Sequence, residues 1–101
     1  LAPVQAKIIP ILDKHHEYAE RIAEKLRDRD VDVEIDTRNE KIGYKIREAQ
    51  MEKVPYMLVI GDKEVENGTV SVRSRKDGDI GSMPVDAFIS KILEEVRTHA
   101  N

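Results

Sequence analysis

The chain has 101 residues, enough for one domain with a single modest core and too few for separate catalytic and recognition domains. Hydrophobic residues at 40% beside charged residues at 37% exclude a disordered chain and predict a globular fold with a heavily charged exterior. A formal charge of -3 argues against a globally basic nucleic-acid binder and leaves room only for a local basic face, while zero cysteines exclude disulfides, thiolate zinc sites and cysteine nucleophiles.

Residues 4–12, VQAKIIPIL, are aliphatic and β-branched over a short length, which predicts a strand. Pro10 within it implies a bulge or a free edge along part of that strand. From Asp13 the period changes. Tyr18, Ile22 and Leu26 recur every fourth residue with Ala19 and Ala23 beside them, predicting an amphipathic helix over about residues 15–29. VDVEID, residues 31–36, alternates, with Val31, Val33 and Ile35 on one face and Asp32, Glu34 and Asp36 on the other, as in a half-exposed strand.

A second helix follows over about residues 41–53, anchored by Ile42, Ile46 and Ala49 and ended by Pro55. Gly43 inside it costs roughly 1 kcal/mol relative to alanine, which suggests close approach of another backbone. YMLVI, residues 56–60, is continuously apolar and predicts a central strand covered on both faces. Asn67-Gly68 is a hairpin signal between KEVE and TVSVRSR, so the next strand is expected to run antiparallel to an extension of the previous one. There Val70 and Val72 point one way, Ser71, Arg73 and Arg75 the other. KDGDIGSM is expected to be a loop with one short strand around Ile80. Pro84 opens a terminal amphipathic helix carrying Val85, Phe88, Ile89, Ile92, Leu93 and Val96.

This order predicts an open α/β sheet whose early strands are parallel through right-handed crossovers. Ligands of such sheets meet the carboxyl ends of the strands. Those ends are DTRN after the second strand and GDKE after the third, both within the mixed-charge stretch of residues 36–66.

No phosphate loop, dinucleotide fingerprint, HExxH or GxSxG motif is present, so nothing specifies catalysis. His15 and His16 are adjacent and point apart, and His99 lies near the C-terminus, which disfavours a metal site. GDIGS suits a turn before a helix better than a phosphate cradle. Asp36, Asp62 and Glu64 have no evident acid–base partner, and strand-end carboxylates can instead hold Mg²⁺, as in a receiver domain. Against that stands the cluster of Arg38, Lys41, Arg47, Lys63 and Arg73. Single-stranded RNA loops are read by hydrogen bonds to splayed base edges, by stacking and by phosphate contacts. Asn supplies a donor and an acceptor, Arg a planar fork, Glu an acceptor pair, and lysines the phosphate contacts, so a mixed edge suits base reading better than uniform basicity does.

The segments LAPVQ, RNEKIGYKIREAQ, VPYMLVIGDKEVENGTVSVRSR and DIGSM together resemble the C-terminal anticodon-binding domain of bacterial threonyl-tRNA synthetase, a class II aminoacyl-tRNA synthetase. The resemblance runs through essentially the whole chain. It implies an open mixed five-stranded sheet flanked by three helices, with residues 1–101 forming one anticodon-binding domain excised from a larger synthetase; the chain begins LAPVQ rather than with Met. The partners implied are the anticodon loop of threonine tRNA and the catalytic domain of the same chain, in a cytoplasmic parent enzyme that is a homodimer. That catalytic domain would hold ATP, Mg and Zn; this domain is expected to carry no cofactor, metal site or catalytic residue.

Asn39, Glu64 and Arg73 match family positions that contact anticodon bases, and Lys41, Arg47 and Lys53 match neighbouring polar and basic positions. Threonine anticodons share a middle G and a terminal U. Asn39 and Arg73 could serve the guanine and Glu64 the uracil, or the reverse. The alternatives are a receiver-like or flavodoxin-like switch domain and a protein-interaction module; an aromatic content of 4% disfavours a flavin site. No stretch approaches the roughly 18 apolar residues of a membrane span, and no signal-peptide pattern is present.

Overall fold

The computed structural model describes residues 4–38 and 40–99. Asn39 and the first three residues of LAPVQ therefore lie outside the described residues. The elements are β1 (Ala6–Pro10), a 3-10 turn (Asp13–His15), α1 (His16–Arg27), β2 (Val33–Ile35), α2 (Ile42–Met51), β3 (Tyr56–Ile60), α3 (Asp62–Asn67), β4 (Thr69–Ser74), β5 (Gly78–Pro84) and α4 (Val85–His99). The strands form one sheet in the order β2-β1-β3-β4-β5. β1, β2 and β3 are parallel, and β4 and β5 add on antiparallel. The expected mixed five-stranded sheet is present, and a short fourth helix, α3, joins the three anticipated.

Each strand's burial follows from its place in this order. β1 is interior and buried throughout. Its pairing with β2 ends at Ile8 opposite Ile35, whereas its pairing with β3 continues to Pro10 opposite Ile60. The Ile11 N–H donates to the Ile60 carbonyl on β3, so the Pro10 nitrogen points the other way, past the end of β2. A proline is tolerated there because no strand needs its missing donor.

On one face of the sheet, α1 and α4 cover Ile8, Tyr56, Leu58, Ile60, Val70 and Val72 with Ile22, Leu26, Phe88 and Ile92. Tyr56 and Phe88 meet edge to face at 5.5 Å, and the Tyr56 hydroxyl donates to Glu95. On the other face α2 covers a smaller core of Ile9, Met57, Ala49 and Val54. One ten-residue helix, about 15 Å long, cannot cover five strands. β3 is accordingly buried on both faces except at Val59, which lies half-exposed beyond the reach of α2.

Several expectations are corrected. KEVE belongs to helix α3 rather than to an extension of β3, and Asn67-Gly68 ends that helix instead of turning a hairpin. The Gly61 N–H donates to Glu64 Oε1 at 2.8 Å, capping the helix start, and Gly68 closes it at φ 68° in the left-handed region. KDGDIGSM contains a full strand, β5, which pairs with β4 through a register shift between Val72 and Arg73. Gly81, opposite Val72 beside that shift, has φ 90°, a conformation β-branched residues avoid. Among the described residues no atom outside α2 approaches Gly43: a Cβ built there meets nothing within 4 Å.

Candidate nucleic-acid interface

The carboxyl ends of β1, β2 and β3 share one edge, as the parallel order requires, and the segments after β2 and β3 emerge there. The alternation of VDVEID predicts an exposed Asp36, yet Asp36 is buried. Its carboxylate accepts from the Arg38 backbone N–H at 3.1 Å, from Arg38 Nε at 3.0 Å and from Arg38 Nη2 at 2.8 Å. Buried Lys45 lies 4.0 Å from the same carboxylate and donates to the Asp36 carbonyl at 3.4 Å. The hydrogen bonds from Arg38 hold the Asp36 carboxyl below its ordinary range, against the upward push of burial.

Arg38 completes this clamp by pairing with Glu48 at 2.6 Å and lying 5.8 Å over the Tyr44 ring. Its fork is thus occupied, and it does not join a free basic cluster. The clamp fixes the chain on the N-terminal side of Asn39 and ties it to α2.

Asp62 is paired as well. The Leu12 N–H donates to His15 Nδ1 at 3.1 Å, which leaves the proton on Nε2, 2.8 Å from Asp62. Lys14 adds a contact to Asp62 at 3.1 Å. These hydrogen bonds, His15 first, hold the Asp62 carboxyl below its ordinary range. Among the described residues no group of three or more His, Asp or Glu side chains is placed to hold a metal ion.

Arg73 does not lie at the carboxyl edge. β4 runs antiparallel, so Arg73 pairs with Met57, three residues or about 10 Å short of the end of β3. There it stands on the face that α2 leaves uncovered. Val59, Ser71, Arg73 and Ser82 form an open floor on this side, with Ser71 opposite both Val59 and Ser82. Arg73 is half-exposed, with Nη1 3.8 Å from Asp79 and its buried Nε lacking a hydrogen-bond partner among the described residues.

α2 forms the wall of this trough. At 100° per residue, Lys45, Glu48 and Glu52 share a stripe that faces β2 and β1, as their contacts to Asp36, Arg38 and Lys7 show. Gly43, Arg47 and Gln50, at i, i+4 and i+7, fall on the opposite flank, toward the open floor. Arg47 is exposed there, and Lys41 is exposed at the N-cap of α2. Glu64, half-buried at the carboxyl edge, spends one carboxylate oxygen on the cap of α3.

Lys53 is at the far end of α2 with φ 64°, beside a groove of about 510 Å³ lined also by Tyr56, Arg75, Lys76 and Ile92. By its pairing Arg73 lies on the floor and by helical spacing Arg47 lies on the flanking wall, with Lys41 and Glu64 toward the carboxyl edge, whereas Lys53 lies at the other end of α2 beside a groove that opens toward α4. The Gly43 flank, the open Val59 and the Asp79 partner of Arg73 escape sequence reasoning. The last was detectable once Arg75-Lys76-Asp77 is taken as a turn, which brings Asp79 opposite Arg73.

A partly uncovered sheet face flanked by a helix that presents Arg47 is suited to hold an unpaired strand. The chain belongs to the anticodon binding domain family, which matches it over residues 5–95. It is 62% identical over 100 residues to the threonine–tRNA ligase of Caldanaerobacter subterraneus subsp. tengcongensis, and 60% identical over 101 residues to that of Acetivibrio thermocellus. These alignments take in 99% and 100% of the chain but 16% of each relative, so the chain spans about a sixth of their length. A crystal structure of the RNA binding domain of threonyl-tRNA synthetase from Cryptosporidium parvum Iowa II superimposes with a TM-score of 0.81 at 34% identity, covering 92% of this chain and 25% of that one.

Proposed function

We propose that the chain is the anticodon-reading domain of a threonine–tRNA ligase and binds the anticodon loop of threonine tRNA. The observation that carries this is identity of about 60% with threonine–tRNA ligases along the entire chain, in a fold whose α2 presents exposed Arg47 beside a partly uncovered sheet face. Arg73 and Asn39 contact bases together with Glu64, whose second carboxylate oxygen is not used by the α3 cap. Lys41, Arg47 and Lys53 contact the sugar–phosphate backbone along the length of α2. Residues 1–101 act as one unit of a larger chain. Threonine activation, with its ATP, Mg and Zn, belongs to the catalytic part of that chain, in a cytoplasmic homodimer.

The receiver-like alternative needs free strand-end acids, and Asp36 and Asp62 are both committed to cations or imidazole within the fold. The experiment is to titrate the chain with a threonine anticodon stem-loop and with one changed at the middle G. Tighter binding of the first is expected, weak overall and falling with salt on a shallow slope, because a net acidic chain neutralises few phosphates. Equal affinity for the two loops would refute anticodon reading.

A further inference from the structure

Gly43 has no reason within the chain to be glycine. It is the second residue of α2, after Ile42, and lies outside the positive-φ residues, so the left-handed region does not require it. Among the described residues no neighbour requires it either, because a Cβ would meet nothing within 4 Å. Glycine is a poorer helix former than alanine, by less in this first turn than in a helix interior, so it offers the isolated fold no gain. What the missing side chain does create is a bare stretch of helix on the flank that borders the trough, one turn before Arg47 and two before Gln50.

We infer that Gly43 is a contact point for the bound nucleic acid: its bare Cα lets the sugar–phosphate backbone press directly against the flank of α2, between that helix and the Val59–Ser71–Arg73 floor. This inference rests on the RNA-binding function proposed above and adds to it a residue that works by absence of bulk. Close approach brings the strand within reach of Arg47 on the wall and Arg73 on the floor at once. A side chain at position 43 holds the strand away from both.

Stability and affinity then move in opposite directions. Gly43→Ala keeps the melting temperature or raises it by up to about 4 °C, less than a full interior glycine-to-alanine change gives. Gly43→Leu also keeps or raises it, but weakens binding of the threonine anticodon stem-loop by roughly tenfold or more, the loss expected when several contacts are held off. Ala87→Leu adds similar bulk to an exposed position of α4, on the covered side of the sheet, and leaves affinity unchanged.

In the unmodified chain labelled with ¹⁵N, the Gly43 amide resonance shifts when the stem-loop is added. Wild-type affinity in a folded Gly43→Leu variant overturns the inference, and so does a Gly43 amide that stays in place while other resonances shift. If Gly43→Leu does not fold, Gly43→Ala and the amide shift decide the matter. A wild-type chain that does not distinguish the threonine loop from its middle-base variant overturns the anticodon reading and this inference together. A chain that discriminates but tolerates bulk at position 43 overturns this inference alone.

Discussion

Arg73 is the side chain whose surroundings differ most from those its sequence suggests. Its guanidinium is partly exposed, with Nη1 3.8 Å from Asp79 and a buried Nε that has no hydrogen-bond partner among the described residues. A loosely tied fork can be reoriented by a ligand without first breaking a strong pair. If that fork reads a base edge, Arg73→Ala costs about 1–3 kcal/mol of stem-loop binding and relaxes discrimination at one anticodon position. Arg73→Lys keeps the charge and loses the bidentate geometry, so it rescues little. Binding of both variants to threonine loops altered at the middle or last base checks this. Equal losses on every loop, with rescue by lysine, would make Arg73 a phosphate contact. Arg38 is the contrasting case: its neighbours Asp36, Glu48 and Tyr44 engage it fully, and it positions the chain without being available to read anything.

At the scale of elements, α2 ends in a way that opposes stability. Lys53 follows the last turn in the left-handed region at φ 64°, its N–H bonding to the Gln50 carbonyl and that of Val54 to the Ala49 carbonyl. Glycine is the usual occupant of such a position, and a non-glycine residue costs about 1–2 kcal/mol there. Lys53→Gly is therefore expected to raise the denaturation midpoint while weakening RNA binding through loss of a cation. A lower midpoint in chemical denaturation would reject that account of the helix end.

Helices α1, α2 and α4 were legible because each carries a full amphipathic repeat, and β3 because five apolar residues stand together. α3 was not, since Val65 is its one apolar residue and the period is lost; its signals were the Gly61 and Glu64 capping pair and a glycine that ends helices as readily as it turns hairpins. β5 has a loop-like sequence because Gly78, Asp79 and Gly81 interrupt its alternation, and only the ladder to β4 orders it. Of the site, residue types were visible but not their grouping. The antiparallel turn of β4 moves Arg73 off the carboxyl edge, and sequence alone places Asp36 outside when a buried lysine and Arg38 draw it in.

For the whole molecule, the sheet is asymmetric: one face bears two long helices and the other a single short one. Neighbouring residues of β3 therefore differ in what they tolerate. Leu58→Asp places a charge in the covered core beside Phe88 and Ile22 and is expected to abolish the cooperative melt. Val59→Asp faces the open floor, so the chain stays folded, with a reduced melting temperature and weaker RNA binding from an added negative charge. Thermal unfolding followed by circular dichroism separates the two, and loss of folding in Val59→Asp would show that this face is closed.

The same asymmetry leaves β5 as a long outermost strand, the kind of border along which chains stack into fibrils. Three features oppose that here. The register shift kinks the strand, Asp79 sets a charge upon it, and Pro84 ends it without a donor. An open face for RNA can thus coexist with a border that resists templating another copy, and the chain can remain monodisperse at concentrations where a flat strand of the same length would seed aggregates.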